Sequence, residues 1–130
     1  MANFAAMPHL IAPSLLSADF TNLRKAVALV DESPAPCLHL DVMYGVFVPN
    51  ISFGFPVIKA IRPLPKKVFD VHLMIVHPDQ YITAFRDAGA DRLPVHYEAC
   101  THLHRTIQAI KPGGMKAGVA INPHTPILSL

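Results

Sequence analysis

Two short patterns on apolar segments carry the chemistry of this chain: His39-Leu40-Asp41 within CLHLDVM, and Asp70-Val71-His72 within VFDVHLMI. In an extended strand, residues i and i+2 point to the same face. His39 and Asp41 therefore project together, with Leu40 and Val42 opposite, and Asp70 and His72 do the same on a second strand. Imidazole and carboxylate delivered in pairs from buried strands build a divalent-metal site, or an acid/base pair, on a rigid frame. The plainer alternative for one such pair is a hydrogen-bonded core contact, because buried polar groups are usually satisfied by neighbours. Two pairs on consecutive strands, each running into a methionine (Met43, Met74), favour the site.

The other candidates are weaker. Asp70 suits either a hydrogen bond that orients His72 or another ligand, or a contact with backbone. His96, on a later strand, reads as a satisfied strand-end histidine. His102 and His104 lie near a helix start with Arg105 and read as a solvated face, although a histidine pair attracts adventitious zinc. Glu98 and Cys100 stand near a strand end from which they could face the site, with nothing in the sequence to place them.

The elements that must position these residues are short. Continuous apolar runs predict strands over residues 10–16, 37–43, 68–75, 92–97 and 115–121, a pattern that fits a covered parallel sheet. Helical patterns fall between them, over 20–31, 56–61, 78–88 and 103–110. Ser17 or Asp19 caps the first, Pro56 and Pro78 suit first-turn positions, and Gly89 suits a C-terminal cap. Strands recur every roughly 25 to 30 residues, the length of a βα unit. Alternation without a Gly-rich nucleotide fingerprint favours a (β/α) barrel of the TIM type over a doubly wound sheet. A complete barrel takes about 200 residues or more. The 130 residues hold about four and a half units, and so read as half a barrel and a single domain.

Composition excludes other classes. A net charge of +2 is too small and too scattered for nucleic acid or an anionic membrane. No apolar run reaches the roughly 18 residues of a transmembrane helix. The opening MANFAAMPHLIAPSLL lacks the basic region and unbroken apolar stretch of a signal peptide. Cys37 and Cys100 alone predict free thiols in a reducing compartment, the cytoplasm. Pro94 is out of place in a central strand, where it removes a ladder donor.

Five ordered blocks are similar to the ribulose-phosphate 3-epimerase family: IAPSLLSADF (11–20), LHLDVMYGVFVPNISFG (38–54), DVHLMI (70–75), VHYEAC (95–100) and KAGVAINPHTP (116–126). The resemblance runs from Ile11 to the last residue. It implies a (β/α)8 barrel of which this chain is the N-terminal half. It also implies a divalent metal, zinc or iron(II) first, manganese or cobalt otherwise. The implied reaction interconverts D-ribulose 5-phosphate and D-xylulose 5-phosphate. Carried across, His39, Asp41 and His72 match metal ligands, and Asp41 matches one acid/base carboxylate. Ser14 matches a substrate-contacting serine, and His72, Met43 and Met74 match residues beside the substrate. The fourth ligand, which is the second acid/base aspartate, and the phosphate loops belong to later strands of the family. Tyr44 replaces the acidic residue usual at its position, which predicts a displaced loop over 46–50 because tyrosine is a poor turn former.

Epimerisation beside a ketone removes a C–H proton and returns it to the opposite face, so it requires two carboxylates and charge stabilisation for an enediolate. The implied partner is a sugar phosphate, with self-association of the open half-barrel expected. Within the class, an allulose 6-phosphate 3-epimerase shares the motif. A non-catalytic half-barrel that binds metal or sugar phosphate is the alternative outside it.

Overall fold

The computed structural model describes residues 9–130. Four parallel strands, β1 (Cys37–Met43), β2 (Val68–Met74), β3 (Arg92–His96) and β4 (Lys116–Ala120), lie in the order β1-β2-β3-β4. Helices α1 (Leu23–Glu32), α2 (Phe55–Ile61), α3 (Ile82–Ala88) and α4 (Leu103–Ile110) alternate with them. This is an α/β half-barrel of the TIM type, as the alternation of the sequence predicts. Among the described residues, no helix is long and apolar enough to cross a membrane.

Alternation along each strand divides the sheet into two faces. Leu38, Leu40, Val42, Phe69, Val71, Leu73, Leu93 and Val95 point toward the helices, none more than 5 % exposed. They pack with Val27 of α1, Ile58 and Ile61 of α2, Phe85 of α3 and Ile110 of α4. Each such side chain contributes about 1.5–3 kcal/mol by leaving water. The opposite face carries His39, Asp41, Asp70, His72, Pro94 and His96, all but His96 partly accessible. The apolar layer thus fixes the strands, and the polar face inherits their positions.

Three expected elements differ in detail. Residues 10–16 form no strand; a single bridge, Ser14 to His39, and one bond from the His39 N–H to the Pro13 carbonyl (2.9 Å) join them to β1. Pro13 has no N–H to extend the ladder, and Ser14 caps a short 3₁₀ turn, Leu15–Ser17, that bends the chain away. The first helix is split at Asn22. Asp19 caps a 3₁₀ turn by accepting from the Thr21 N–H, and Asn22 caps α1 by accepting from the Lys25 N–H. Ser17 caps neither. The pattern over 78–88 likewise begins as a 3₁₀ turn, Pro78–Tyr81, before α3.

Gly89 ends α3 at φ 105°, as the capping pattern predicts, and the Arg62 side chain fills the space a Cβ would need. That guanidinium lies over the Phe69 ring and donates to the carbonyls of Gly89, Pro65 and Lys67 and to the Asp91 carboxylate. It ties the end of α2 to the entries of β2 and β3.

Pro94 does sit inside the sheet, opposite Gly118 of β4. A Cβ at 118 would come within 3.2 Å of the pyrrolidine ring, so glycine makes room for proline on the neighbouring strand. Gly118→Ala should therefore cost about 1–3 kcal/mol by overpacking. Urea unfolding checks this, and an unchanged midpoint would show that the strand pair has room to spare.

Candidate metal centre

The parallel register of β1 and β2 sets His39 opposite Asp70 and Asp41 opposite His72. All four side chains share the inner face, so the two sequence patterns close into a square. Oδ1 of Asp41 lies between the two imidazoles, 3.0 Å from His39 Nε2 and 3.2 Å from His72 Nδ1. The three ligand atoms offered by His39, Asp41 and His72 lie within 4.8 Å of one another. Each residue is half-buried.

Each imidazole also has an outward partner. His39 Nδ1 donates to Asp70 Oδ2 at 2.8 Å, and His72 Nε2 lies 2.9 Å from His96 Nε2. A neutral imidazole has one proton. If both rings spend it outward, two nitrogen lone pairs and a carboxylate oxygen converge on one point. A divalent cation satisfies that arrangement, and the N/O donor set suits one.

The remaining contacts keep Asp41 ionised. Its other oxygen, Oδ2, accepts a 2.6 Å hydrogen bond from the Ser14 hydroxyl. The same hydroxyl accepts from the Leu16 N–H, which fixes the direction of its own proton. Burial pushes the Asp41 carboxyl up, but the Ser14 bond and the two imidazoles outweigh it, and the net shift is downward. The Asp70 hydrogen bond moves His39 up, whereas burial moves His72 down. His72 thus tends to be neutral, as a ligand must be.

Met43 and Met74 are paired in register two residues beyond Asp41 and His72, on the same face. Met43 also borders an apolar cavity of about 310 Å³ lined by Tyr44, Ile51 and Phe53, among others. The loop after β1 folds back through a Tyr44–Ile51 bridge. Its positive φ falls on Gly45 (85°), so Tyr44 takes its place without left-handed strain, and its hydroxyl donates to the Val76 carbonyl. Phe47 from this loop packs its ring on His96, centroids 4.7 Å apart.

For two residues that sequence reasoning named, it did not foresee their partners. His96 stands at the end of β3, as expected, but it is 7 % exposed and joined to His72. Glu98 accepts from the Asn122 N–H and the Thr125 hydroxyl, so it anchors the loop after β4. The i, i+2 spacing of VHYE was the available signal, the same spacing as His39 and Asp41. His102, just before α4, and His104 within it are exposed, as expected of a solvated face. Cys37 and Cys100 are free, and burial pushes both thiols up, which makes neither a ready nucleophile.

The model of the ribulose-phosphate 3-epimerase family matches residues 10–130. This chain belongs to that family. It is 57 % identical over 117 residues to the ribulose-phosphate 3-epimerase of Bacillus subtilis, covering 90 % of this chain and 54 % of the relative. The corresponding enzyme of Synechocystis is 53 % identical over 119 residues, 90 % of this chain and 52 % of the relative. The chloroplastic ribulose-5-phosphate-3-epimerase of Arabidopsis thaliana is 45 % identical over 129 residues, 98 % of this chain and 46 % of the relative. The chain thus spans about half the length of the curated relatives it matches.

Burial pushes Glu98 up, but the bonds from Thr125 and Asn122 prevail and hold its carboxyl down from 4.5 to about 2. A group with a lowered folded pKa adds stability above its unfolded value and loses it as pH falls through the folded one. Glu98→Gln should therefore be less stable than the parent at pH 7, with the gap closing between about pH 4.5 and 2. Urea midpoints across that window check it; a constant gap would contradict the assignment.

Proposed function

We propose that this chain supplies the metal-binding half of a ribulose-phosphate 3-epimerase. The reaction is epimerisation at C3 of a ketose phosphate, D-ribulose 5-phosphate to D-xylulose 5-phosphate. The convergence of His39 Nε2, Asp41 Oδ1 and His72 Nδ1 carries the reading, in a chain that the family model matches over residues 10–130. These residues would hold one divalent ion, zinc or iron(II) first by donor type, manganese or cobalt otherwise. When bound, such an ion polarises the ketone and stabilises the negative charge of the enediolate.

The chain's own residues do the rest of the half-reaction. Asp41, kept ionised, is the base that takes the C3 proton, and Ser14 holds its carboxylate in orientation and contacts substrate. His72, whose two ring nitrogens serve the ion and His96, would border the substrate with its ring. Met43 and Met74 flank the reacting carbon with polarizable, apolar surface and exclude water. Asp70 is committed to His39, and Glu98 to Asn122 and Thr125. Returning the proton to the opposite face therefore calls for a carboxylate from outside these four strands. The phosphate cradle has the same origin in this reading, at a helix N-terminus or backbone amides.

The partner is a sugar phosphate, with no nucleic acid or membrane required. Further barrel strands, or a second copy, would pair the open backbone edge of β4. The two free thiols suit the cytoplasm.

Hydrogen exchange tests the assignment of Asp41 apart from complete turnover. In D₂O the chain should exchange the C3 hydrogen of D-ribulose 5-phosphate slowly while forming negligible D-xylulose 5-phosphate. Asp41→Asn should reduce exchange by about 10²–10⁴-fold. Exchange that survives this substitution undiminished, or robust conversion by the purified chain, would contradict the reading.

A further inference from the structure

Among the described residues, two buried side-chain atoms lack a hydrogen-bond partner: Nδ1 of His96 and Oε2 of Glu98. They face each other at 3.4 Å. On its other side the His96 ring meets His72 at 2.9 Å, Nε2 to Nε2, so the three side chains form a continuous row. The row begins at the proposed metal site and ends on the loop after β4, where Glu98 Oε1 accepts from Asn122 and Thr125.

We propose that His96 and Glu98 are positioning residues that set which nitrogen of His72 faces the metal. His72 donates its single proton from Nε2 to His96 Nε2, and His96 turns its own Nδ1 proton toward Glu98. The lone pair of His72 is thereby left on Nδ1, beside Asp41.

The direction of the row follows from what each atom can do. Two ring nitrogens at 2.9 Å share one proton, so one must donate and the other accept. A carboxylate only accepts. With its Nδ1 protonated toward Glu98, His96 has Nε2 free as an acceptor, and His72 must be the donor. In the reverse arrangement the His96 Nδ1 lone pair would face the Glu98 carboxylate with nothing between them, and the His72 proton would lie on Nδ1; in the proposed one the only lone pairs turned toward a carboxylate are those of His39 and His72 beside Asp41, which a bound cation takes up. Glu98 is well held for this task, because Oε1 is already occupied and only Oε2 is left for His96. Burial and the Phe47 ring hold the His96 plane.

Asp70 does the same for His39, accepting from Nδ1 so that Nε2 faces Asp41. The two histidines thus present opposite nitrogens, each selected by a neighbour from a different strand. Such outer partners typically change metal affinity by about 10–100-fold. The inference rests on the metal reading of His39, Asp41 and His72.

Long-range ¹⁵N–¹H NMR of the histidine rings in the zinc-loaded chain tests it without reference to activity. The expected spectrum has zinc on Nδ1 of His72 and a proton on Nε2. Zinc on Nε2 of His72 overturns the inference while leaving the metal site intact; zinc on none of His39, Asp41 and His72 overturns both. His96→Phe removes the acceptor and should weaken zinc about 10–100-fold with unchanged circular dichroism, while His96→Gln, which keeps a carbonyl acceptor, recovers most of the loss. Equal zinc affinity in the parent and His96→Phe contradicts the proposal. Should His96→Phe fail to fold, the parent spectrum and His96→Gln decide the matter, the latter by an affinity near the parent's or as low as that of a lost ligand.

Discussion

The site depends on one constraint, the register of β1 against β2. Pairing Asp41 with His72, and His39 with Asp70, puts an imidazole on either side of one carboxylate oxygen. A slip by one residue would turn His72 and Asp70 to the helix side and bring Val71 and Leu73 to the polar face. The apolar layer forbids this, because Phe69, Val71 and Leu73 are fully buried against the helices. Core packing on one face therefore determines chemistry on the other. The Arg62 clamp at the start of β2 and β3 reinforces the alignment at the opposite end of the strands.

Around that square, polar groups serve orientation more than stability. Ser14, Asp70 and His96 each meet a different atom of His39, Asp41 and His72. Each comes from a different segment: the residues before α1, β2 and β3. The fold thus surrounds these three side chains from several segments, while the strands themselves are held by hydrophobic contacts. The arrangement separates folding from function, so substitutions among the outward partners can alter the site without emptying the core.

Much of this was legible in sequence because the signals were local. The i, i+2 spacing placed His39 with Asp41 and Asp70 with His72, and their burial and partners agree with that reading. Proline marked the start of α2 and glycine the Gly89 cap of α3, whereas Pro78 opens the 3₁₀ turn that precedes that helix. Where the reading fell short, the cause was tertiary. Residues 10–16 have strand-like composition, yet Pro13 and the Ser14-capped turn limit them to one bridge. His96 resembled an ordinary strand-end histidine because its significance lies in contacts from other segments: His72, Phe47 and Glu98. Pro94 looked wrong for a central strand because Gly118, its partner, is 24 residues away in sequence and adjacent only in the sheet.

The central claim is that His39, Asp41 and His72 together bind a divalent ion. Zinc titration by calorimetry of the parent chain, His72→Ala and His102→Ala tests it most directly. The account predicts one zinc per chain, an affinity reduced by more than about 100-fold in His72→Ala, and an unaltered affinity in His102→Ala. Equal losses in the two variants would place the zinc on surface histidines and contradict the account.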